Sequence, residues 1–521
     1  MSLDAYDYIP YDSSPFQETH PDHLAVLGRL FGLNTAPGSH CRYLELGCAS
    51  AGNLIPLAFY QPASEFVGID RSQRQIDAGQ ALSAALHLHN ISLHRVDILE
   101  LGDALGHFDY IIAHGVYSWA PAPVRKKLLA LCCRLLHPAG IAYVSYNTLP
   151  GWRMRGMLRD MLLYAARGTA IPRAQLVAVQ SFLETLDTVL TGNETPRARY
   201  LREEITSLRR AHPAYLYHEY LTETNEPVLF SEFSAQARAH GLCYVCETEL
   251  HTNFPDTLPE RAASFLRAID ERQAREQYTD FLRNRTFRQS LLCRADANIT
   301  GDPRLEALPS LALHSDLAPP HQPELRHAKR QRFRTAGDRL VEVTHPLTKA
   351  VLLAARQAHP AALALSDLLH EARRAVQVVG ATSTVAEQSE HFYGEVFSLF
   401  ANGAVRLLPH IRESTKPDLE RPCANRFTRE LIKHGAQYTV TSEHGILPLD
   451  AFGVRLASLL DGTRTLGTLC VQLADAIRRD ELAIPGPKPK GYRLEKQVQS
   501  NVERLVARFA HEGLLAPANA R

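Results

Sequence analysis

Tyr43-Leu44-Glu45-Leu46-Gly47-Cys48-Ala49-Ser50-Ala51-Gly52-Asn53 reads as a short apolar strand that runs into a turn of small residues and opens a helix. Small residues let backbone approach a ligand closely, and a helix N-terminus offers unpaired N–H donors. The pattern repeats outward. Glu65 to Asp70 reads as a strand, Ser72 to Leu86 as a helix, and Ile91 to Asp97 as a third strand. Phe108 to His114 is a fourth, a helix covers 123–136, and Gly140 to Ser145 is a fifth. Upstream, Leu24, Leu27, Leu30 and Phe31 give a short amphipathic helix over 22–32 that stops at Gly32. Strands alternating with helices at this spacing predict a parallel sheet built from βα units.

Residues 151–226 break the alternation with a charged, Arg-rich helical pattern. A helix over Phe230 to His240 and strands over Leu242 to Glu247 and Thr286 to Cys293 then resume it. The economical reading is an α/β, Rossmann-like, mostly parallel seven-stranded sheet that fills 1–296 and carries a helical insertion. Pro303, Pro309, Pro319, Pro320 and Pro323 mark 297–332 as a linker. Residues 333–521 form a mostly helical C-terminal region.

Strand ends on one sheet edge carry the chemistry. Asp70, about twenty residues past the glycine turn, is placed to accept ribose hydroxyls. Asp97-Ile98, after the third strand, is placed to take an adenine amino group. A dinucleotide site would prefer G-x-G-x-x-G, but Ala49 stands at the second glycine and Glu45 precedes Gly47. That combination favours S-adenosyl-L-methionine over NAD. The expected cofactor set is Glu45, Gly47, Cys48, Ala49, Gly52, Asn53, Asp70, Arg71, Gln75, Asp97, Ile98 and His114.

Composition narrows the class. The 521 residues are 45% hydrophobic and 22% charged, with a net charge of +1, the balance of an ordinary globular protein. No Lys/Arg block gives a strong nucleic-acid or anionic-membrane footprint. The N-terminus has no basic-then-apolar signal and no run is long enough to span a bilayer, which points to the cytoplasm. The nine cysteines are scattered and odd in number, which suits a reducing compartment. The lone Cys243/Cys246 pair lacks a partner pair at zinc spacing, so no metal site is expected.

The motifs E-L-G-C-A-S-A-G-N, F-V-G-I-D and V-D-I-L resemble those of class I methyltransferases. Tyr8 to His20, Phe108 to Trp119 and Tyr143 to Trp152 further resemble a bacterial family that includes the rickettsial-type protein lysine methyltransferases. The resemblance implies a methyltransferase regulatory region over about 215–293 and a winged-helix-like C-terminal domain. It also implies a protein acceptor, with an outer-membrane or surface protein met before export as the family example. Ala51 departs from the family, which more often has glycine there.

Methyl transfer from a sulfonium is an in-line displacement, so the enzyme mainly positions the nucleophile and excludes water. A lysine acceptor must first lose a proton, at a cost of roughly 4–5 kcal/mol from a free pKa of about 10.4. The expected acceptor site is Tyr146, Tyr117 and Asn147 beside the methyl group. Trp119, Trp152, Arg155, Tyr11 and His20 would bind the substrate, with the segment from Tyr6 to His20 as a lid. Two other readings stay open: a small-molecule methyltransferase, and a cofactor-binding regulator whose C-terminal part binds DNA.

Overall fold

The computed structural model describes Tyr8, Ile9, Tyr11, and residues 13–335, 337–378, 385–413, 417–483 and 491–517. Seven strands form one sheet: β1 (Arg42–Leu46), β2 (Glu65–Asp70), β3 (Ile91–Arg95), β4 (Phe108–Ala113), β5 (Leu136–Asn147), β6 (Leu242–Glu247) and β7 (Phe287–Arg294). Their order is β3-β2-β1-β4-β5-β7-β6, and β7 runs antiparallel to both of its neighbours. The order reverses between β1 and β4, which is where open α/β sheets bind ligands. β5 is longer than the sequence suggests, because the Ala122–Leu135 helix passes into it without a break.

Alternation along each strand sorts side chains onto two faces. Tyr43, Phe66, Tyr110, Ile112 and Tyr143 pack on one face against the Pro21–Leu30 helix. Leu44, Ile111, Val144 and Tyr146 pack on the other against Leu128, Leu129 and Phe233. Four helices, Trp152–Ala166, Pro172–Leu190, Pro196–Arg210 and Pro213–Tyr220, lie between β5 and the Phe230–Ala239 helix and share a core of their own. They return the chain to the end of β5, where Val228 bridges Thr148.

The first part of 297–332, up to Leu317, packs into the core, while 319–330 are half-buried or exposed. Leu308, Leu311, Leu313 and Leu317 are buried in the main core. Arg304 donates its backbone N–H to Leu30 and Thr300 donates to Phe31. β8 (Ala312–His314) is the middle strand of a small sheet, and its partners are Leu363–Ala364 and Arg406–Leu408. Elements this short carry no readable periodicity, so the prolines dominate the sequence signal. Beyond them the chain packs as two clusters. Phe333, Val343, Leu347, Val351 and Leu407 join the core around Tyr43 and Tyr110. Leu456, Leu473, Val498, Val502 and Phe509 form a separate core in the last hundred or so residues.

β7 closes the sheet around a buried ionic cluster. The Arg288 guanidinium, fully buried, pairs with Glu247 at 2.6 Å, Asp280 at 2.8 Å and Glu276 at 3.1 Å, and lies 4.1 Å from the Phe230 ring centre. It ties β7 to β6 and to the Arg272–Arg283 helix. Removing one partner of a buried ionic group leaves the others uncompensated, at a cost of about 3–5 kcal/mol. Arg288→Ala should therefore lower the unfolding free energy, read from urea titration, by an amount of that order. A loss under about 1 kcal/mol would show that the cluster does not hold the sheet closed.

Candidate active site

A cavity of about 640 Å³ opens at the C-terminal ends of β1, β2, β4 and β5. The small-residue turn forms its floor. Gly47 and Cys48 donate backbone N–H groups to Ile69 O at 2.8 and 3.0 Å, and Ala49 N–H donates to Asp70 Oδ2 at 2.9 Å. These bonds lock the loop onto the end of β2. Gly47 sits at φ +80, where glycine is at ease, but Ala49 (φ 49) and Ala51 (φ 60) adopt the same left-handed region with a side chain. Ala51, the departure from the resembled family, thus holds the backbone conformation that glycine would adopt freely.

Gly52 serves another purpose. Its N–H donates to Ser13 Oγ at 2.8 Å, and a Cβ there would lie 2.2 Å from Ser13 O. The N-terminal segment crosses the loop at this point and roofs the cavity. Phe16 stacks on His114 with ring centres 3.7 Å apart, and its N–H donates to Asn53 Oδ1 at 3.0 Å. Gln75 donates to Tyr11 O at 3.1 Å, and His218 Nε2 donates to Ile9 O at 2.6 Å. Tyr6, the first residue of the expected lid, lies outside the described residues.

Two carboxyl groups define the electrostatics of the floor. Glu45 is buried, and its Oε1 accepts from Asn53 Nδ2 at 3.1 Å. Among the described residues its Oε2 has no hydrogen-bond partner. Burial pushes its pKa up to about 8 against the pull of Asn53. Asp70 accepts from Ala49 and Ser72 N–H groups, and burial raises its pKa despite those bonds. An unpartnered buried carboxylate oxygen facing a cavity suits a cationic ligand, and an acid at the β2 end suits a diol. Both features fit S-adenosylmethionine. Asp97 and Ile98 line the cavity past the end of β3, Asp97 being exposed and accepting from Leu99 N–H at 2.8 Å. His114 accepts or donates at Nδ1 with the Tyr143 hydroxyl at 2.8 Å, and burial lowers its pKa to about 4, so the ring is neutral. Cys48, Arg71 and Gln75 complete this wall.

The opposite end of the cavity is aromatic. Asn147, Trp119, Trp152 and Arg155 line it, and Tyr11 lies at the roof. Arg155 sits 5.6 Å over the Trp152 ring and pairs with Glu204 at 3.5 Å. Asn147 donates to Asn225 Oδ1 at 3.2 Å, which joins the β5 end to the inserted helices.

Tyr146, Tyr117 and His20 do not reach the cavity. Tyr146 and Asn147 are neighbours on a strand and point to opposite faces, so only one can face the ligand. Tyr146 stacks on Phe233 at 4.0 Å and its hydroxyl meets Ser290 Oγ at 3.1 Å. Tyr117 packs against the same ring and donates to Gln236 Oε1 at 2.7 Å. His20 caps the Pro21–Leu30 helix by accepting from Asp22 N–H, behind the cofactor loop. Gly52 lies beyond the cavity wall, against an adjoining pocket.

Residues missed by the sequence reading also line the aromatic end: Tyr215, His218, Glu219 and Phe287. Tyr215, His218 and Glu219 are spaced i, i+3, i+4 on the Pro213–Tyr220 helix, the one-face spacing that would have singled them out. Burial pushes the Glu219 carboxyl up to about 8, with Arg155 opposing.

The strand order, the reversal at β1/β4 and the acids at successive strand ends define a class I methyltransferase. Known proteins agree. Residues 37–178 match the family described as a methyltransferase domain, 212–294 the "Predicted methyltransferase regulatory domain", and 420–514 the "PKMT, C-terminal winged helix domain". Over 98% of its length the chain is 31% identical to the uncharacterized protein RP789 of Rickettsia prowazekii, covering 93% of that protein. A second protein of that organism, RP028, is 36% identical over 45% of this chain and 94% of its own length. PKMT2 from Rickettsia typhi, solved in complex with AdoHcy, superposes with a TM-score of 0.85 at 27% identity, over 97% of this chain and 100% of that one. The chain belongs to the family of S-adenosylmethionine-dependent methyltransferases of the PKMT type.

The placement of Tyr146 has a testable consequence. Its hydroxyl bonds Ser290 away from the cavity, so Tyr146→Phe should leave methyl transfer within about twofold of the unaltered protein and cost about 1 kcal/mol of stability. Initial-rate measurements and urea unfolding on the same sample check both. A large loss of rate at unchanged stability would put the hydroxyl back at the acceptor.

Proposed function

We propose that this protein transfers methyl groups from S-adenosylmethionine to lysine side chains of a protein acceptor. One observation carries the acceptor assignment. A half-buried carboxyl, Glu219, shares a cavity with Trp152, Tyr215 and Phe287 and with the cofactor wall. Aromatic walls suit the hydrocarbon stem of lysine and the cationic head of an ammonium or methylammonium group. They also keep water out, which disfavours the charged amine. A carboxylate at that place stabilises the arriving ammonium and then accepts its proton.

S-adenosylmethionine, when bound, supplies an electrophilic methyl group on a sulfonium. The chain's own residues do the rest. Asp70 holds the ribose hydroxyls, Asp97 and Ile98 hold the adenine, and the Glu45 Oε2 atom left without a partner faces the positive end of the molecule. Gly47, Cys48 and Ala49 shape the floor, Gln75 and Phe16 hold the roof, and Arg71 borders the ribose side. Asn147 and Trp119 flank the path of the amine. Glu219 takes the proton from Nζ, which frees the lone pair that forms the new N–C bond as the sulfur–methyl bond breaks and the neutral thioether, S-adenosylhomocysteine, leaves; Glu219 releases its proton to solvent afterwards. Arg155, over Trp152 at the entrance, favours the ionised form of Glu219.

Loss of Asp70 removes a charged acceptor for two hydroxyls. Asp70→Ala should weaken S-adenosylmethionine binding about ten- to a hundredfold, and Asp97→Ala by less. Calorimetric titration giving the same affinity for the unaltered and Asp70→Ala proteins would remove Asp70 from the site.

The Glu219 assignment is tested by pH. In the free enzyme the group must ionise before it can accept a proton, so kcat/KM should rise with pH and level off above about 8. Glu219→Gln should lose about a hundredfold or more in turnover with little change in cofactor affinity. Its rate should keep climbing toward pH 10, where the lysine loses its proton unaided. The acceptor is identified first, by labelling a cell lysate with methyl-labelled cofactor. Label in small molecules rather than protein would end the lysine reading. A Glu219→Gln profile parallel to that of the unaltered enzyme would end the role of Glu219.

A further inference from the structure

One hydrogen bond to the cofactor loop comes from the C-terminal region. β13 (Tyr438–Val440) and β14 (Ile446–Pro448) form a hairpin, and its turn carries His444. His444 Nε2 lies 2.7 Å from Asn53 Oδ1, 391 residues away in the chain. Both side chains are buried, at 2% and 1% exposure. The same Oδ1 accepts the N–H of Phe16 at 3.0 Å and the Thr19 hydroxyl at 3.2 Å, and since the Phe16 N–H is a donor only, the amide oxygen must face this side and His444 must donate. Asn53 Nδ2 then points the other way and holds Glu45 Oε1.

We propose that the β13–β14 hairpin is a working part of the cofactor site, with His444 as a positioning residue that fixes Asn53 and, through it, both Glu45 and the roof segment. The inference rests on the cofactor reading given above. The hairpin turn is built for this reach. His444 adopts φ 63, a left-handed conformation that Asn or Gly would enter at lower cost. Strain of this kind persists where the surroundings enforce it, and it clusters at sites with a task. The enforcing contacts are present. Thr441 N–H donates to Gly445 O, and Gly445 N–H donates to Thr441 Oγ1. Glu443 pairs with Arg406 at 2.6 Å and also with Arg412. Gln17 of the roof segment donates to Glu443 O at 3.4 Å. The turn therefore touches the loop and the roof together. Burial, reinforced by Arg406, lowers the His444 pKa to about 3, so the ring stays neutral and presents one N–H.

Glu45 is the floor carboxylate with an unpartnered oxygen, and Asn53 is what aims it. A hairpin that moves away takes the shortest donor from Asn53 Oδ1, leaving Phe16 and Thr19 there, and so holds the amide that aims Glu45 less firmly. Coupling of this kind is reciprocal, so cofactor binding must also tighten the docking of the hairpin.

The probe is S-adenosylhomocysteine, titrated calorimetrically into the full chain. His444→Asn suits the left-handed turn but is too short to reach Asn53, and should weaken binding about five- to thirtyfold. His444→Gln keeps a donor of comparable reach and should stay within about threefold. In an Asn53→Ser background, His444→Asn should add nothing, because the coupling runs through Asn53. Equal affinity of His444→Asn and the unaltered protein, or fully additive losses in the double variant, overturns the inference while leaving the cofactor reading intact. No binding by the unaltered protein overturns the cofactor reading and the inference with it. Hydrogen exchange on the unaltered chain gives a check that needs no variant. Amides of 442–445 should slow on ligand binding although none of them lines the cavity, and unchanged exchange there overturns the inference.

Discussion

The Asn53 amide is the bond point on which the site depends. Its nitrogen holds Glu45 at the end of β1, and its oxygen receives Phe16 and Thr19 from the N-terminal segment and His444 from the C-terminal region. A buried amide with unmade bonds costs about 1–3 kcal/mol per group, so the three segments are obliged to meet there. The floor, the roof and the C-terminal hairpin are thereby set by one side chain. The contacts around it follow the same direction. Tyr60 donates to Val440 O at 2.9 Å, Asn425 donates to the Tyr60 hydroxyl at 2.9 Å, and Phe427 packs on Phe59. The C-terminal region is seated on the helix that Asn53 starts.

Acids are used in two opposed ways. Around Arg288, three buried carboxylates are matched by a guanidinium whose fork satisfies several oxygens at once, and the result is a closed sheet edge. In the cavity, Glu45 is buried and Glu219 half-buried without such a match, and desolvation lifts both to about 8. A carboxyl left short of partners in a low-dielectric cleft has free energy to gain from an arriving cation. The first arrangement is structural because it is complete. The second is suited to ligands because it is not.

The N-terminal segment shows how one glycine can set the form of a site. Serine 13 backbone passes so close to Gly52 that any side chain there would displace it, while Ala49 and Ala51 bear left-handed backbone without glycine's freedom. The loop therefore keeps glycine where another chain segment must approach, and tolerates alanine where only its own torsion is at stake. That distinction is invisible in a string of small residues.

The βα alternation, and the acids and small residues that line the cavity at the strand ends, were legible in the sequence. Strand ends are local, so Glu45, Asp70, Asp97 and the turn between Gly47 and Gly52 could be placed from spacing and residue type alone. Pairing across the insertion was also legible, because strands at 242–247 and 287–294 were needed to cover an exposed β5 edge. Tertiary structure decided what depends on facing and on distance. Tyr146 and Asn147 are adjacent, and only the packing of the Phe230–Ala239 helix settled that the tyrosine turns inward to Phe233 and the asparagine to the cavity. Glu219 entered the site because four helices fold back over the β5 end, and the first part of 297–332 became core because Leu308 to Leu317 found partners far along the chain. His444 reached Asn53 across 391 residues, a meeting that no local pattern encodes, since burial and hydrogen-bond satisfaction are summed over the whole fold and not along the chain.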